Sequence, residues 1–254
     1  MPDLHVFEDL GNGQSGGAEQ PWHPFFLVQP FWNFLNACFF EYGIAAYDLE
    51  LGAVIAKKQT KDPEFRRRAK QVLGKIRRQA TKDYVVHPAL SIPTGSFLPT
   101  LAANFTANVV RNLWSNSVIL CGHFPEGVET FEKKSIDGET RGEWYLRQML
   151  GSANISGSKA MHLMTGNLSH QVEHHLFPDL PSNRYAEIAP QVRDLFDKYD
   201  LPYVTGSLPR QVASAWKKVI RLSLPNDAGA KARTTVAAKV AGLVARPAEE
   251  QAAA

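Results

Sequence analysis

The sequence predicts a mainly α-helical protein in which a membrane-associated helical hairpin carries a cytosolic helical cap. Three observations lead to that reading. Two apolar stretches, 25–47 and 84–121, flank a segment at 50–83 that holds eleven Lys or Arg against four acids by direct count. Apolar residues recur at helical spacing in the last third, as Ile188, Val192, Leu195 and Phe196 do. Four of the eight histidines fall within the fourteen residues 162–175, a density that asks for a metal.

Composition sets the outer bounds. A chain of 254 residues makes one large domain or two small ones, with room for a sizeable core. Hydrophobic content of 44% with a mean hydropathy of −0.24 reads as soluble or only partly embedded in a membrane. A net charge of +3 and a pI near 8.8 are too mild to indicate nucleic acid, and no basic patch with stacking aromatics occurs. Cys38 and Cys121 both lie in apolar context, which suits a reducing, cytoplasm-facing environment better than a disulfide framework.

In chain order, residues 1–21 lack a charged region followed by an apolar one. They read as a flexible N-terminal segment, with a Gly-rich run at 11–17. The stretch 25–47 is aromatic and carries a single charge, Glu41. Its Pro30, Gln29, Asn33 and Asn36 make it a poor membrane span, so an interfacial helix is expected, with a buried core helix as the alternative. In 50–83, Arg66, Arg67, Arg68 and Lys70 head a basic run expected on the cytosolic side, where it meets anionic lipid; holding the phosphates of coenzyme A is a second use. The stretch 84–121 is interrupted by Pro93, Gly95 and Pro99. A hairpin turning there keeps the basic segment and the histidines on one side, whereas a single crossing would set the basic loop outside. Residues 122–225 form the cap, with Asp137 and Gly138 as a turn signal and Trp144, Tyr145 and Gln148 assigned to packing. The Ala-rich remainder, 226–254, reads as a disordered or frayed tail.

The histidine cluster occupies MHLMTGNLSHQVEHHLFPDLPSN at 161–183. If 162–176 is one helix, His170 with His174 and Gln171 with His175 form adjacent rows of donors four residues apart. Pro178 and Pro181 end that helix. Neutral imidazoles suit iron, zinc, copper and nickel, and Glu173 is placed to orient one of them.

At this point the sequence resembles the membrane fatty-acid desaturases of the linoleoyl and front-end type. QVEHHLFP at 171–178 is similar to their third histidine box in its QxxHH form. The likeness continues through DLPSNR at 179–184, YDLPY at 199–203, CGHFP at 121–125 and WYLRQMLGSAN at 144–154, covering about 22–225. The two earlier boxes, HxxxH and HxxHH, are absent, since His5, His23 and His87 stand alone. The resemblance implies a partial desaturase fold over 22–225 and oxygen-dependent introduction of a double bond into an acyl chain. It implies a di-iron centre and a cytochrome b5 or ferredoxin-type electron donor. It also implies metal-facing roles for His174 and His175, with Gln171 where other members have a histidine and His123 as a further ligand at the membrane edge. His170 is either a ligand or a partner of one, and Asn112 and Asn116 add a possible water-mediated contact. Three or four donors are about half of what two irons need, so the chain alone is expected to be inactive, as a fragment or as a subunit whose partner chain supplies the missing boxes.

One competing motif uses the same residues. HQVEH at 170–174 matches HxxEH, in which two histidines bind zinc and a glutamate activates water. A third ligand is then required; Glu187 is too near, Glu249 and Glu250 lie in the tail, and His175 has no role.

Overall fold

The structure is a computed structural model and describes residues 23–58, 60–131 and 138–224. The expectations for 1–21 and for 226–254 fall outside these residues. What is described is mainly helical, as the sequence predicts.

The aromatic stretch opens with a 3-10 turn, Pro24–Val28, and continues as α1 (Gln29–Cys38) and α2 (Phe40–Asp48). Pro24 and Pro30 occupy first turns, where the missing N–H has no helical partner to lose. Of α1 and α2 only Ala37 and Phe40 are buried, while Phe31, Trp32 and Phe34 are each more than half exposed. The alternative of a buried core helix therefore fails.

Next come α3 (Leu51–Ala56) and α4 (Pro63–Thr81). The Asp62 side chain caps α4 by accepting from Glu64 N at 3.2 Å. No residue of α4 is buried. The helix then passes through a π-helical turn, Lys82–Val86, into α5 (His87–Leu90). Pro88 accounts for the wide turn, because in a regular helix its ring would collide with the carbonyl of residue 84. His87 N now bonds Lys82 O, which strips Asp83 O of its helical partner. The Asn104 side-chain amide replaces it at 2.6 Å.

The chain reverses over 91–96, with Gly95 at φ +70, and α6 (Phe97–His123) returns alongside. The helical reversal lies where the sequence put the hairpin turn, although Pro99 already belongs to α6 and a membrane hairpin is not shown. Its arms are unequal, since α5 stops at Leu90 and α6 has 27 residues. No helix among the described residues is long and apolar enough to cross a membrane. One reason is an asparagine row on α6: besides Asn104, Asn108 Nδ2 donates to Asp83 Oδ2 at 3.1 Å and Tyr84 Oη at 2.9 Å, and Asn112 Oδ1 accepts from Glu41 N at 3.0 Å. Each amide serves a polar group on a neighbouring helix.

The cap begins with α7 (Arg141–Leu150), started by a reciprocal capping box between Thr140 and Glu143. Strand β1 (Asn154–Ser156) pairs in parallel with β2 (Thr205–Ser207), Ile155 opposite Gly206. A parallel pair needs a long crossover. Here it holds α8 (Lys159–Met164), α9 (Gln171–Leu176) and α10 (Tyr185–Lys198), and α11 (Leu208–Ser223) follows β2. One core cluster joins Met149 of α7, Val172 and Leu176 of α9, and Val192 and Phe196 of α10. A second joins Val118 and Cys121 of α6 to Ile155 of β1. The β1 region ties the two together: Ala153 N donates to Gly122 O of α6 at 2.9 Å, and Val172 N of α9 donates to Asn154 Oδ1 at 2.9 Å.

The expected single helix over 162–176 is corrected to two short ones. Gly166 and Asn167 adopt left-handed φ of +62 and +63, which ends α8 before α9 begins. Phe177 ends α9 just before Pro178, as expected.

Candidate metal centre

Three elements deliver the site. The last residue of α6 is His123, α9 supplies Gln171, His174 and His175, and α7 supplies Gln148. The rings of His123 and His175 meet edge to face at 5.0 Å between centroids. Gln171 Nε2 stands between them, 3.2 Å from His123 Nε2 and 3.1 Å from His175 Nε2.

Outer contacts fix the rings. His175 Nδ1 lies 2.9 Å from Gln148 Oε1, and His174 Nδ1 lies 2.9 Å from the hydroxyl of Tyr185, a buried residue. Such contacts set which ring nitrogen stays free. The sequence assigns Gln148 to packing and gives Tyr185 no role, yet the fold sets each against a ring nitrogen of the cluster. Burial pushes His175 down to about 3, helped by the nearby His123, His174 and Arg147. Burial likewise pushes His123 down to about 4, against the Gly151 backbone and with His174. His174 is lowered by burial as well. All three rings are neutral at pH 7, the form that binds metal.

His170 does not join them. It precedes α9 with non-helical φ −99 and ψ 58 and stacks on His162 at 4.7 Å, with the Nε2 atom buried and without a partner. Glu173 makes no hydrogen bond to an imidazole either, since His170 Nδ1 lies 3.9 Å from its Oε2. Instead this fully buried carboxylate accepts from Tyr203 Oη at 2.7 Å and Asn154 Nδ2 at 2.8 Å. With Glu173 so engaged, the HxxEH zinc arrangement does not form. Asn112 is bound to Glu41 N and stays out of the site.

Two imidazole nitrogens and one amide therefore converge, with His174 beside them, its ring 5.6 Å from that of His175. Among the described residues no three His, Cys, Asp or Glu side chains are placed to hold a metal ion. A two-metal centre is built from about six side chains. The residues in place do not fit a two-iron centre.

Comparisons with known proteins agree with the resemblance. A family profile described as "Fatty acid desaturase" matches residues 5–207. The chain is 47% identical over 226 residues to the NADPH-dependent stearoyl-CoA 9-desaturase of Mycobacterium tuberculosis, covering 88% of this chain and 53% of that protein. It is 30% identical over 95 residues to fatty acid desaturase 3 of Homo sapiens, which is 37% of this chain and 20% of that protein. It is 42% identical over 71 residues to a Delta(8)-fatty-acid desaturase of Helianthus annuus, 28% of this chain and 16% of that protein. The chain thus spans about half the length of its mycobacterial relative. No solved structure matches.

Proposed function

From the premise that this chain belongs to the fatty acid desaturase family, we propose that it contributes one half of an acyl-desaturase metal site and its surrounding cap. The convergence of the His123 and His175 Nε2 atoms, with the outer nitrogen of His175 held by Gln148, carries this reading. His123, His174 and His175 are the iron-facing donors of that half. Removing hydrogen from an acyl methylene takes an oxidant stronger than any side chain, a chemistry that iron would supply if a complete set of donors held it. The remaining donors come from residues bearing the HxxxH and HxxHH boxes, on another chain where this one acts as a subunit.

The stearoyl-CoA activity named for the mycobacterial relative makes a long-chain acyl-CoA the substrate of choice; the cytochrome b5 or ferredoxin-type donor follows from the family resemblance alone. The chain works at a membrane surface with its histidines toward the cytoplasm. The aromatic face of α1 and the basic helix α4 support that placement.

The test uses the whole chain with ferrous iron, reductant, oxygen and stearoyl-CoA. No olefinic product is expected from the chain alone, and product is expected once a second polypeptide bearing both missing boxes is co-expressed. Product from the chain alone would overturn the half-site reading.

A further inference from the structure

One amide explains why the donors stop short of a metal cage. Gln148 Oε1 can only accept, so His175 Nδ1 carries the ring proton and His175 Nε2 presents a lone pair. Gln171 must then face that lone pair with its NH2 group. Since an amide nitrogen donates and does not accept, the second N–H serves His123 Nε2 in the same way. Two lone pairs that a cation would take are thus satisfied by two hydrogens of one side chain.

The backbone makes room for this arrangement. A β-carbon at Gly122 would lie 2.9 Å from Gln171 Cγ and 3.0 Å from Cδ. The Gln171 side chain is therefore pressed against α6, and its amide is directed between the two rings.

We infer that Gln171 is a clasp: its NH2 group donates to both His123 and His175 and so competes with a cation for their lone pairs, rather than acting as a ligand. This rests on the reading of those two histidines as metal-facing. Binding of an ion requires the amide to withdraw from the two rings.

The experiment titrates the full-length chain with cobalt(II) chloride, following visible absorption and thermal unfolding. Gln171→Leu keeps the side-chain bulk and removes both donors. It is expected to bind cobalt roughly tenfold to thirtyfold more tightly, since two hydrogen bonds of about 1 kcal/mol each no longer oppose the ion. Its metal-free melting temperature is expected to fall, because two ring nitrogens lose their partner. Equal or weaker cobalt binding by Gln171→Leu overturns the clasp. A measurement on the unaltered chain guards against a variant that fails to fold. In 15N-labelled protein the Gln171 NH2 resonances should show hydrogen-bonded shifts and lose them on saturation with zinc; unchanged resonances at saturation overturn the proposal. His123→Ala and His175→Ala should each abolish cobalt binding. Survival of binding in either removes the metal-facing reading and the clasp with it, whereas failure of Gln171→Leu alone removes only the clasp.

Discussion

Burial decides the charge of individual site residues, and that has a measurable consequence for acid stability. His123 and His175 sit at about 4 and about 3 in the folded chain, below the ordinary imidazole value near 6.5. Between those values the unfolded chain binds more protons than the folded one, so folding stability is fully present above about 6.5 and is lost as pH falls through the folded values. Urea unfolding of the metal-free chain should show a midpoint that drops steadily from pH 7 to pH 4. A His123→Phe, His175→Phe double variant should flatten that dependence, and an unchanged slope in it would sink the attribution. Gln148 acts at the same scale through His175. Gln148→Leu leaves His175 Nδ1 without an acceptor and frees the ring to change tautomer. Cobalt affinity should fall about tenfold to a hundredfold, the usual cost of losing a ligand's outer hydrogen bond. Equal affinity by titration would show that Gln148 merely packs.

At the scale of elements, the position of α9 depends on a knot that no motif announces. Asn154 of β1 donates through Nδ2 to Glu173 and to Tyr203 Oη, and accepts from Val172 N at 2.9 Å through Oδ1. Asn154→Ala would leave a buried carboxylate and a buried N–H short of partners while the histidines remain in sequence. The expected loss is about 2–4 kcal/mol in denaturant unfolding, with cobalt affinity reduced alongside. A stable variant with intact affinity would show that the core cluster alone holds α9. Some elements were legible in advance because local chemistry fixes them. The spacing of Val192 and Phe196 marks α10, Pro178 marks the end of α9, and Pro93 with Gly95 marks the hairpin turn. Others depend on distant contacts. The left-handed pair Gly166 and Asn167 splits what histidine spacing suggested was one helix, and this removes His170 from the ligand row. The π turn before Pro88 frees a carbonyl that Asn104, twenty-one residues away, serves. Glu173 looked like a partner for imidazoles, and only the fold reveals that Tyr203 and Asn154 take it instead.

For the whole molecule, the distribution of apolar and basic surface bears on where the chain works. Phe25, Phe31, Trp32 and Phe34 are exposed at the start, as are Leu90, Ile92 and Leu98 around the hairpin turn, and α4 carries its basic residues with none buried. The membrane-surface placement proposed above would rest on these interfacial aromatics together with charge attraction. The two contributions separate by salt and by lipid. The full-length chain should float with vesicles containing phosphatidylserine, and binding should weaken as salt rises because the attraction is screened over about 10 Å at 0.1 M. Each basic residue near an anionic surface contributes about 1 kcal/mol. Replacing Arg66, Arg67 and Arg68 by Glu should therefore reduce partitioning on the order of a hundredfold or more, while leaving binding to neutral vesicles nearly unchanged. Equal loss on neutral and anionic vesicles would indicate damage to the fold, and no loss on either would show that α4 faces away from the lipid.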